Sequence, residues 1–219
     1  MNRCLVLFAR IPKKNEVKTR LRPYLLNGSS EGIYRAFLND MVQIANQVRC
    51  ENKFIAFISS NNSKPAFLES IAPDFKIVKQ VGNNLGERMY QVFKNILKCE
   101  CHRVIIIGTD IPTLPPGNIH MAFEKLIHSD IVLGPSMDGG YYLVGLKKPH
   151  REIFLNIDWG TNQVFHQTMQ RIKKAKLIVS FVPQCYDIDN GEGLHRLIDE
   201  LKEKKDDAIA YWTRKYLKI

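Results

Sequence analysis

The sequence predicts an α/β fold, a three-layer sandwich in which helices cover both faces of a mainly parallel central sheet. The order of apolar and amphipathic segments predicts this class. Short apolar segments alternate with segments of helical periodicity along most of the 219 residues, and such alternation is typical of a parallel sheet flanked by helices. No change of composition marks a linker, so we expect a single domain spanning residues 1–219.

The first half of the chain is expected to contain six elements: strands at 5–9, 53–58 and 75–78, and helices at 30–48, from 63 onward and at 85–97. The first helix carries apolar residues at Ile33, Phe37 and Met41, which is the spacing of a helix with one buried face. The second helix is expected to start around Ser63, because Pro65 then stands in its first turn, where proline is tolerated. Helices that separate consecutive strands in this way permit parallel pairing.

The second half is expected to contain strands from 103 to Asp110, at 131–133, at 141–146 and at 176–182, and helices at 116–127, 161–172 and 191–204. The strand that ends at Asp110 begins with a fully apolar run, which is typical of a buried parallel strand. Pro112, Pro115 and Pro116 prevent this strand or a helix from continuing through the following segment. Asp110 is therefore expected at the end of a strand.

Asp110 is the first candidate functional residue. In open α/β sheets, ligands bind beyond the carboxyl ends of the strands, and magnesium prefers one or two protein carboxylates together with phosphate oxygens and water. The position of Asp110 thus predicts a carboxylate that holds a divalent cation against phosphate. The alternative is an acid that caps the turn before the next helix, because acids are common in turns for local reasons.

Five basic residues crowd the loop after the first strand: Lys13, Lys14, Lys18, Arg20 and Arg22. Without a partner these charges would repel one another, whereas a di- or triphosphate would bind them through charge-assisted hydrogen bonds. We expect phosphate binding here, and a solvated basic loop is the alternative. The GxxxxGK[ST] and GxGxxG patterns are absent, so neither a P-loop ATPase nor a dinucleotide oxidoreductase is favoured.

Two glycine-rich segments follow other predicted strands. The segment from Gly82 to Arg88 leads into a helix, where backbone N–H groups and a cation can meet an anion. A helix cap that needs flexible backbone is the structural alternative. In the second segment Asp138 precedes Gly139 and Gly140, and the absence of side chains lets the backbone approach a ligand closely. A hairpin turn also explains this second segment.

An acidic segment, Asp187 to Asp189, follows the last predicted strand and opens a helix. Asp189 fits two roles: it is an N-cap with Glu192 reaching back as in a capping box, or it is the second carboxylate of the metal site. The six histidines lie in no metal-ligand spacing. His120 and His128 are expected on helix surfaces.

The charge balance bears on the class of partner. Lys and Arg number 32 against 22 Asp and Glu, and the resulting net charge of +10 attracts polyanions, which include nucleotides. The sequence has no basic strand with interspersed aromatic residues of the RNA-binding type, so a nucleic acid is not favoured as a partner. Five cysteines, at positions 4, 50, 99, 101 and 185, form no CxxC pair and are expected to be reduced thiols.

The apolar segments are too short for a membrane protein. None approaches the roughly 20 residues of a spanning helix, and the apolar run at the N-terminus is too short for a signal peptide. A cytoplasmic location without stable membrane insertion is therefore predicted. The segment that contains Trp212 and Tyr216 is expected to be an ordinary docking helix, with attachment to a membrane surface as the alternative.

Several motifs, taken together and in order, resemble one family. They are Phe8–Pro12, Val17–Leu21, Gly82–Met89, Gly108–Pro112, Gly134–Leu143, Trp159–Thr161 and Asp187–Asp189. This set resembles the bacterial GT-A-fold transferases described as uncharacterised glycosyltransferases, which are related to molybdenum-cofactor and phospholactate guanylyltransferases. The resemblance spans nearly the whole chain. It implies a nucleotide-diphospho-sugar transferase (GT-A) type of α/β sandwich.

The resemblance and the strand-end positions together assign roles to individual residues. Nucleotide binding is expected at Ala9, Arg10, Lys18, Arg20, Gly82, Arg88, Thr109 and Asp110. Mg²⁺ or Mn²⁺ is expected on Asp110 and Asp189, catalytic roles on Asp138, Lys18 and Arg20, and the acceptor or sugar near Asp138, Gly139, Gly140 and Trp159. The chain departs from the family at Asn15, where members usually carry glycine; asparagine can still adopt a left-handed conformation at some cost.

Two enzyme classes compete, because fold does not determine chemistry. The favoured hypothesis is a metal-dependent glycosyltransferase that uses a nucleotide-sugar donor, with Asp138 as a base near a small-molecule acceptor. The alternative is a guanylyltransferase-like nucleotidyltransferase that attacks a nucleoside triphosphate and releases pyrophosphate. A nucleotide-sensing or scaffold protein is the non-enzymatic alternative. A homodimer is left open by the sequence.

Overall fold

The central element of the protein is a twisted sheet covered by helices on both faces. The computed structural model describes residues 2–25, 28–59, 63–99, 101–204 and 206–219. Within these residues the sheet has seven strands in the order β3-β2-β1-β4-β6-β5-β7. β6 is antiparallel to both of its neighbours, and the other neighbouring pairs are parallel. The predicted α/β class with a mainly parallel sheet is confirmed.

The described strands are β1 Arg3–Arg10, β2 Asn52–Ile58, β3 Lys76–Lys79, β4 Arg103–Ile107, β5 Ile131–Pro135, β6 Tyr141–Leu146 and β7 Val179–Phe181. The described α-helices are α1 Ser30–Gln47, α2 Ala66–Ile71, α3 Leu85–Lys98, α4 Pro116–Lys125, α5 Val164–Lys174, α6 Gly191–Glu203 and α7 Tyr211–Leu217. Two 3₁₀ helices, Thr19–Tyr24 and Arg151–Phe154, were not expected from apolar periodicity.

Four predicted boundaries differ from the structure by three residues, each for a local reason. The helix expected to start around Ser63 starts at Ala66, with Pro65 at its N-cap position and not in its first turn. The strand expected to reach Asp110 ends at Ile107, so that Asp110 lies in the loop beyond it. The helix expected from Thr161 starts at Val164, because the Thr161 N–H and hydroxyl both donate to the carbonyl of Asp158, at 3.3 and 2.8 Å, and form a turn. The last strand starts late, since Lys176 has a left-handed backbone conformation with φ of 56°.

Alternate residues of β1 enter opposite halves of the core, as the two-residue period of a strand requires. Leu5 and Leu7 pack in one apolar cluster with the α1 residue Met41, whereas Val6 packs in another with Phe93 of α3. All are essentially inaccessible to water, and each such side chain stabilises the fold by about 1.5–3 kcal/mol relative to exposure. Burial on both faces explains why the central strands are apolar without alternation.

Two of the five cysteines correct an expectation from the sequence. Cys4 and Cys101 form a disulfide with their Cα atoms 6.0 Å apart, so the prediction of reduced thiols throughout is wrong for this pair. β1 and β4 are adjacent parallel strands in which Cys4 lies opposite Val104. The two cysteines are therefore brought together by strand order, which no spacing rule in the sequence reveals. Cys50, Cys99 and Cys185 are free.

The C-terminal helix α7 packs on α1, as expected for a docking helix. The Tyr216 hydroxyl donates to the carbonyl of Ser29 at 2.7 Å, while Trp212 remains 40% exposed. No helix among the described residues has the length and apolar character needed to cross a membrane.

Candidate functional site

A cleft of about 780 Å³ opens at the carboxyl ends of β1 and β4. One wall is polar and contains the first loop, the segment after β4 and the segment before α6. Another part of the lining, the apolar wall, is largely apolar and aromatic and contains Phe8, Met89, Tyr141 and Trp159. This is the edge of the sheet where open α/β folds bind ligands.

Lys18 lies at the centre of the polar wall. Its Nζ donates to Asp110 Oδ1 at 2.8 Å, to the carbonyl of Ile188 at 2.9 Å and to Asp189 Oδ1. Only 6% of the side chain is exposed. Burial would lower the pKa of this ammonium group, but the two carboxylates outweigh burial and raise its pKa above the usual value. Lys18 is therefore held in its charged form.

The two carboxylates that contact Lys18 do not cap helices. The N-terminus of α6 is capped by Asn190, whose side chain accepts from the N–H of Gly193 at 2.9 Å. The alternative in which Asp189 is the cap is therefore wrong. No side chain caps α4, so Asp110 is not its cap either. Burial would raise the pKa of Asp189, but Lys18 outweighs it and lowers this pKa.

The oxygen atoms around Lys18 are of a kind that binds a divalent cation, and two of them belong to carboxylates. Asp110, Asp189 and the Ile188 carbonyl already converge on one positive group, and all are oxygen donors of the kind that Mg²⁺ and Mn²⁺ accept. Within the described ranges, no group of three or more His, Cys, Asp or Glu residues forms a metal site. A cation here would need further oxygen ligands from water or from substrate phosphates.

Asp187 is an acid of the site that the sequence analysis did not single out. Burial, together with the charges of Asp138 and Asp189, raises the pKa of Asp187 to about 7. Its place two residues before Asp189 was visible in the sequence, but its proximity to Asp138 results from the fold. The cleft lining thus contains five carboxylates, on Glu16, Asp110, Asp138, Asp187 and Asp189.

Tyr34 is a second residue that was missed, because its position on α1 indicated only core packing. Its hydroxyl accepts from the N–H of Arg10 at 2.9 Å and forms a hydrogen bond with the Thr109 hydroxyl at 3.1 Å. Burial and the nearby Asp110 raise the pKa of Tyr34 to about 12. The neutral phenol therefore ties the end of β1 to the segment after β4.

The first loop contributes two of its five cations to the cleft wall, Lys18 and Arg20. Arg20 is exposed, whereas the Lys13 ammonium lies 4.0 Å from Glu16. Asn15 adopts the left-handed conformation with φ of 65°, so the family glycine is not needed for this turn.

Three other predicted nucleotide-binding residues lie near the loop without forming the described wall. The Ala9 carbonyl accepts from the buried Gln80 side chain at 3.1 Å. Gly82, with φ of 139°, precedes the Asn84 cap of α3. Arg88 bonds the Asn84 carbonyl at 3.1 Å, and burial and the neighbouring Arg10 lower its pKa. Their role in nucleotide binding stays a prediction.

The segment around Asp138 is a hairpin connection between β5 and β6, as the structural alternative proposed. Asp138 Oδ1 accepts from the N–H of Gly140 at 2.9 Å and from the Ser136 hydroxyl. Gly139 has φ of 88°, and a side chain there would collide with the backbone of Asn162. Asp138 and Gly140 nevertheless line the cleft, whereas Gly139 supports the turn from behind.

Trp159 forms part of the apolar wall and is held in place from two sides. A Cβ atom at Gly86 would lie 2.6 Å from its indole ring, so only glycine permits this packing. The Tyr141 ring meets the indole edge to face, with ring centroids 6.4 Å apart. Trp159 and Tyr141 therefore form a tightly packed aromatic part of the cleft lining.

Comparisons with known proteins agree with this architecture. A 2-phospho-L-lactate guanylyltransferase from Methanobrevibacter smithii is 26% identical over 138 residues, which are 63% of this chain and 59% of that protein. The chain thus spans about three fifths of the length of this curated relative.

Solved structures extend the similarity to the full chain. A candidate nucleotide-diphospho-sugar transferase from Desulfovibrio desulfuricans G20 is 28% identical with a TM-score of 0.88, covering 99% of both chains. A cytidylyltransferase from Leptospira borgpetersenii shares the fold, with a TM-score of 0.60 and 12% identity over 100% of this chain and 94% of the other. The model of the family described as "Uncharacterized protein conserved in bacteria (DUF2064)" matches residues 42–161, and the chain belongs to this family.

Proposed function

We propose that this member of the DUF2064 family is a nucleotidyltransferase. It would bind a nucleoside triphosphate, transfer the nucleoside monophosphate to a small-molecule acceptor and release pyrophosphate. The observation that carries the proposal is the convergence of Lys18, Asp110 and Asp189 at the carboxyl ends of β1 and β4, beside the exposed Arg20. The similarity to a protein named as a guanylyltransferase supports this choice and makes guanosine triphosphate the first nucleotide to test.

The polar wall would bind the triphosphate chain. Arg10, Lys18 and Arg20 present positive charge to the cleft, and guanidinium and ammonium groups bind phosphate through short charge-assisted hydrogen bonds. Arg20 is exposed, and its positive charge lies close enough to Asp189 to help lower the pKa of that carboxylate, so its guanidinium is placed to bind phosphate at this wall. A second contribution comes from Thr109, which Tyr34 holds against the end of β1.

Asp110 and Asp189 would hold Mg²⁺ or Mn²⁺ against the phosphates. Such an ion, when bound, neutralises negative charge on phosphate oxygens. Two carboxylates suffice for this role, because magnesium in nucleotide sites takes its remaining ligands from phosphate and water.

In the reaction, an acceptor oxygen attacks the α-phosphorus and forms the new P–O bond. The bond from the α-phosphorus to the bridging oxygen breaks, and pyrophosphate leaves with that electron pair. Lys18 and Arg20 would neutralise the charge that develops on the phosphoryl oxygens and the leaving group. Asp138, at the acceptor side of the cleft, would accept the proton of an acceptor hydroxyl. The acceptor itself would lie between Asp138 and the Trp159 surface.

A glycosyltransferase remains the second candidate, and the sequence motifs favoured it over nucleotidyl transfer. The observation in its favour is the likeness over 99% of both chains to a candidate nucleotide-diphospho-sugar transferase. The nucleotidyltransferase accounts better for the relatives, because the curated similarity is to a guanylyltransferase and a cytidylyltransferase shares the fold. Both candidates are transferases that place a nucleotide phosphate on the polar wall.

The two candidates are separated by their products. The protein is incubated with Mn²⁺ and each nucleoside triphosphate, together with a panel of small phosphorylated and hydroxylated acceptors, and pyrophosphate is measured. A parallel set contains nucleotide sugars, and nucleoside diphosphate is measured. We expect pyrophosphate and a nucleotidylated acceptor, with turnover slowed but nucleotide affinity kept in Asp138→Asn. Release of nucleoside diphosphate from a nucleotide sugar without any pyrophosphate would instead establish the glycosyltransferase.

A further inference from the structure

The contacts of Lys18 define a closed unit, which we call the Lys18 clasp: the Lys18 ammonium group, the carboxylates of Asp110 and Asp189, and the Ile188 carbonyl. An ammonium group has three protons. In the clasp it has three acceptors, at 2.8 Å on Asp110, at 2.9 Å on Ile188 and on Asp189. The ammonium group is therefore saturated by the protein itself and has no proton left for a phosphate.

The same carboxylates are the ones assigned to the divalent cation. A cation between Asp110 and Asp189 would occupy the space of the ammonium group, and two positive charges at such a short distance would repel each other. The Lys18 side chain is only 6% exposed, whereas those of Asp110 and Asp189 are 37% and 50% exposed. Lys18 in the clasp and a cation on both carboxylates are therefore mutually exclusive arrangements.

We propose that Lys18 keeps the divalent cation out of the cleft until a polyphosphate draws the ammonium group away, so that cation and nucleotide bind together. This inference rests on the proposed function, because it assigns the polyphosphate and the cation to the polar wall. Lys18 is then a positioning residue that couples the two ligands as well as a phosphate contact.

The charges around Lys18 couple its departure from the clasp to the binding of a polyphosphate and a cation. A buried ammonium group that loses its partners is costly, so Lys18 can leave the clasp only toward another anion, and the phosphate chain beside Arg20 supplies one. Once Lys18 has left the clasp, Asp110 and Asp189 have lost their ion-pair partner, and their negative charge then favours a divalent cation. The flexible four-carbon stem of lysine permits the movement.

Mn²⁺ binding without any nucleotide tests the exclusion. Free and bound Mn²⁺ are distinguished by electron paramagnetic resonance in the wild type, Lys18→Met and the control Lys147→Met, whose lysine pairs with Asp130 at 4.0 Å at the other end of β6. We expect Lys18→Met to bind Mn²⁺ about tenfold more tightly than the wild type, within the range typical of coupled sites. Lys147→Met should match the wild type. Adding Asp189→Asn to Lys18→Met should abolish the gain, and equal or weaker Mn²⁺ binding in Lys18→Met would overturn the inference.

A second measurement uses the wild type alone, in case the variant folds poorly. The ammonium group of Lys18 is buried and fully hydrogen-bonded, so its ¹⁵N signal should be visible by NMR. Mg²⁺ alone should leave that signal in place, whereas Mg²⁺ with inorganic pyrophosphate should shift it. A shift with Mg²⁺ alone, or no shift at saturating Mg²⁺ and pyrophosphate, contradicts the exchange. The Mn²⁺ experiment contains no nucleotide, so it decides this inference even if no nucleotidyl transfer is detected.

Discussion

The Lys18 clasp and the junction of α1 with α7 both bury charge between distant parts of the chain, but they treat that charge differently. Lys18 and Asp189 are 171 residues apart, and Asp40 and Thr213 are 173 apart. In the clasp a carboxylate meets an ammonium group at the wall of a cleft. In the junction a carboxylate meets only N–H and O–H groups inside the fold.

Asp40 caps a helix that belongs to another part of the chain. It accepts from the N–H groups of Trp212 and Thr213, both at 2.9 Å, and from the Thr213 hydroxyl at 2.6 Å. Ala210, which precedes α7, offers no side-chain cap of its own. Asp40 thus satisfies the free N–H groups of the first turn of α7 and fastens this helix to α1.

The pKa shifts of the two carboxylates run in opposite directions. Burial raises the pKa of Asp40 to about 6, and the bonds from Thr213 and Trp212 offset only part of this effect. Burial acts on Asp189 too, but the full charge of Lys18 lowers its pKa. The effect of a cation on the pKa of a carboxylate thus exceeds the effect of burial, whereas the effect of neutral hydrogen-bond donors does not. We infer that changes in the clasp affect ligand binding and turnover first, and that changes at Asp40 affect stability.

The largest expected effect is that of Asp110→Asn on metal-dependent activity. Removing one of the two proposed cation ligands should abolish the metal-dependent part of nucleotide binding and slow turnover by about a hundredfold or more, a typical cost of losing one charge-stabilising group. The fold should remain, because Lys18 keeps Asp189 and Ile188 as partners. Calorimetry with saturating Mn²⁺ measures the affinity, with Asp207→Asn, whose side chain is 93% exposed, as the control. Unchanged affinity in Asp110→Asn would mean that this carboxylate holds no cation.

The next largest effect is the pH dependence of stability that Asp40 causes. Its pKa is about 6 in the fold against a usual 3.8, so the folded state binds more protons between these values, and the free energy of unfolding falls as pH rises from about 4 to about 6. The contribution of Asp40 is roughly 2–3 kcal/mol, at about 1.4 kcal/mol per pKa unit.

Urea unfolding of wild type and Asp40→Asn across this pH interval measures that contribution. The Asp40→Asn variant should show a flatter profile, since the asparagine does not titrate. Parallel profiles for the two proteins would show that the Asp40 carboxylate is ionised in the fold, as Asp189 is. Nucleotide turnover should be the same in both proteins at pH 8, because Asp40 does not belong to the described cleft lining.

Arg20→Ala tests phosphate binding next to the Lys18 clasp, and its expected effect is somewhat smaller. The variant should bind a nucleoside triphosphate more weakly by about 1.5–3 kcal/mol, the range for a hydrogen bond to a charged group. Binding of the bare nucleoside should not change, because Arg20 is proposed to contact phosphate alone. If both ligands lost affinity equally, the substitution would have disturbed the loop that positions Lys18. Arg22→Ala is the matched control, since Arg22 lies in the same loop but outside the described cleft wall.

Asn15→Gly should have the smallest effect and concerns the loop that supplies Lys18. Asn15 already has the left-handed conformation that glycine would adopt there, and asparagine is among the residues that tolerate it. Stability should therefore change by less than about 1 kcal/mol, and triphosphate affinity should stay the same. A large gain in affinity would show that the Asn15 side chain obstructs the phosphate chain. Thermal unfolding with and without nucleotide measures both quantities.

Local patterns in the sequence were sufficient for most strands and α-helices and for several residues of the polar wall, but not for Tyr34 or Asp187. Apolar spacing predicted the strands and most helices, because burial on one or two faces imposes a period on the chain. Asp110, just beyond the apolar strand β4, and the cluster of cations that includes Lys18 led us to predict phosphate binding at this edge of the sheet. Their roles in catalysis and metal binding stay predictions that the experiments above address.

Contacts between residues that are far apart in the sequence were decided by the tertiary structure. The sequence left two roles open for Asp189, helix cap or metal ligand. The fold excludes the role of cap, because Asn190 caps α6 and Asp189 pairs with Lys18. In the same way it joined Cys4 to Cys101 and Asp40 to α7. These contacts depend on which strands become neighbours and how loops meet at the sheet edge. That order follows from packing the whole core, so no local pattern of residues contains it.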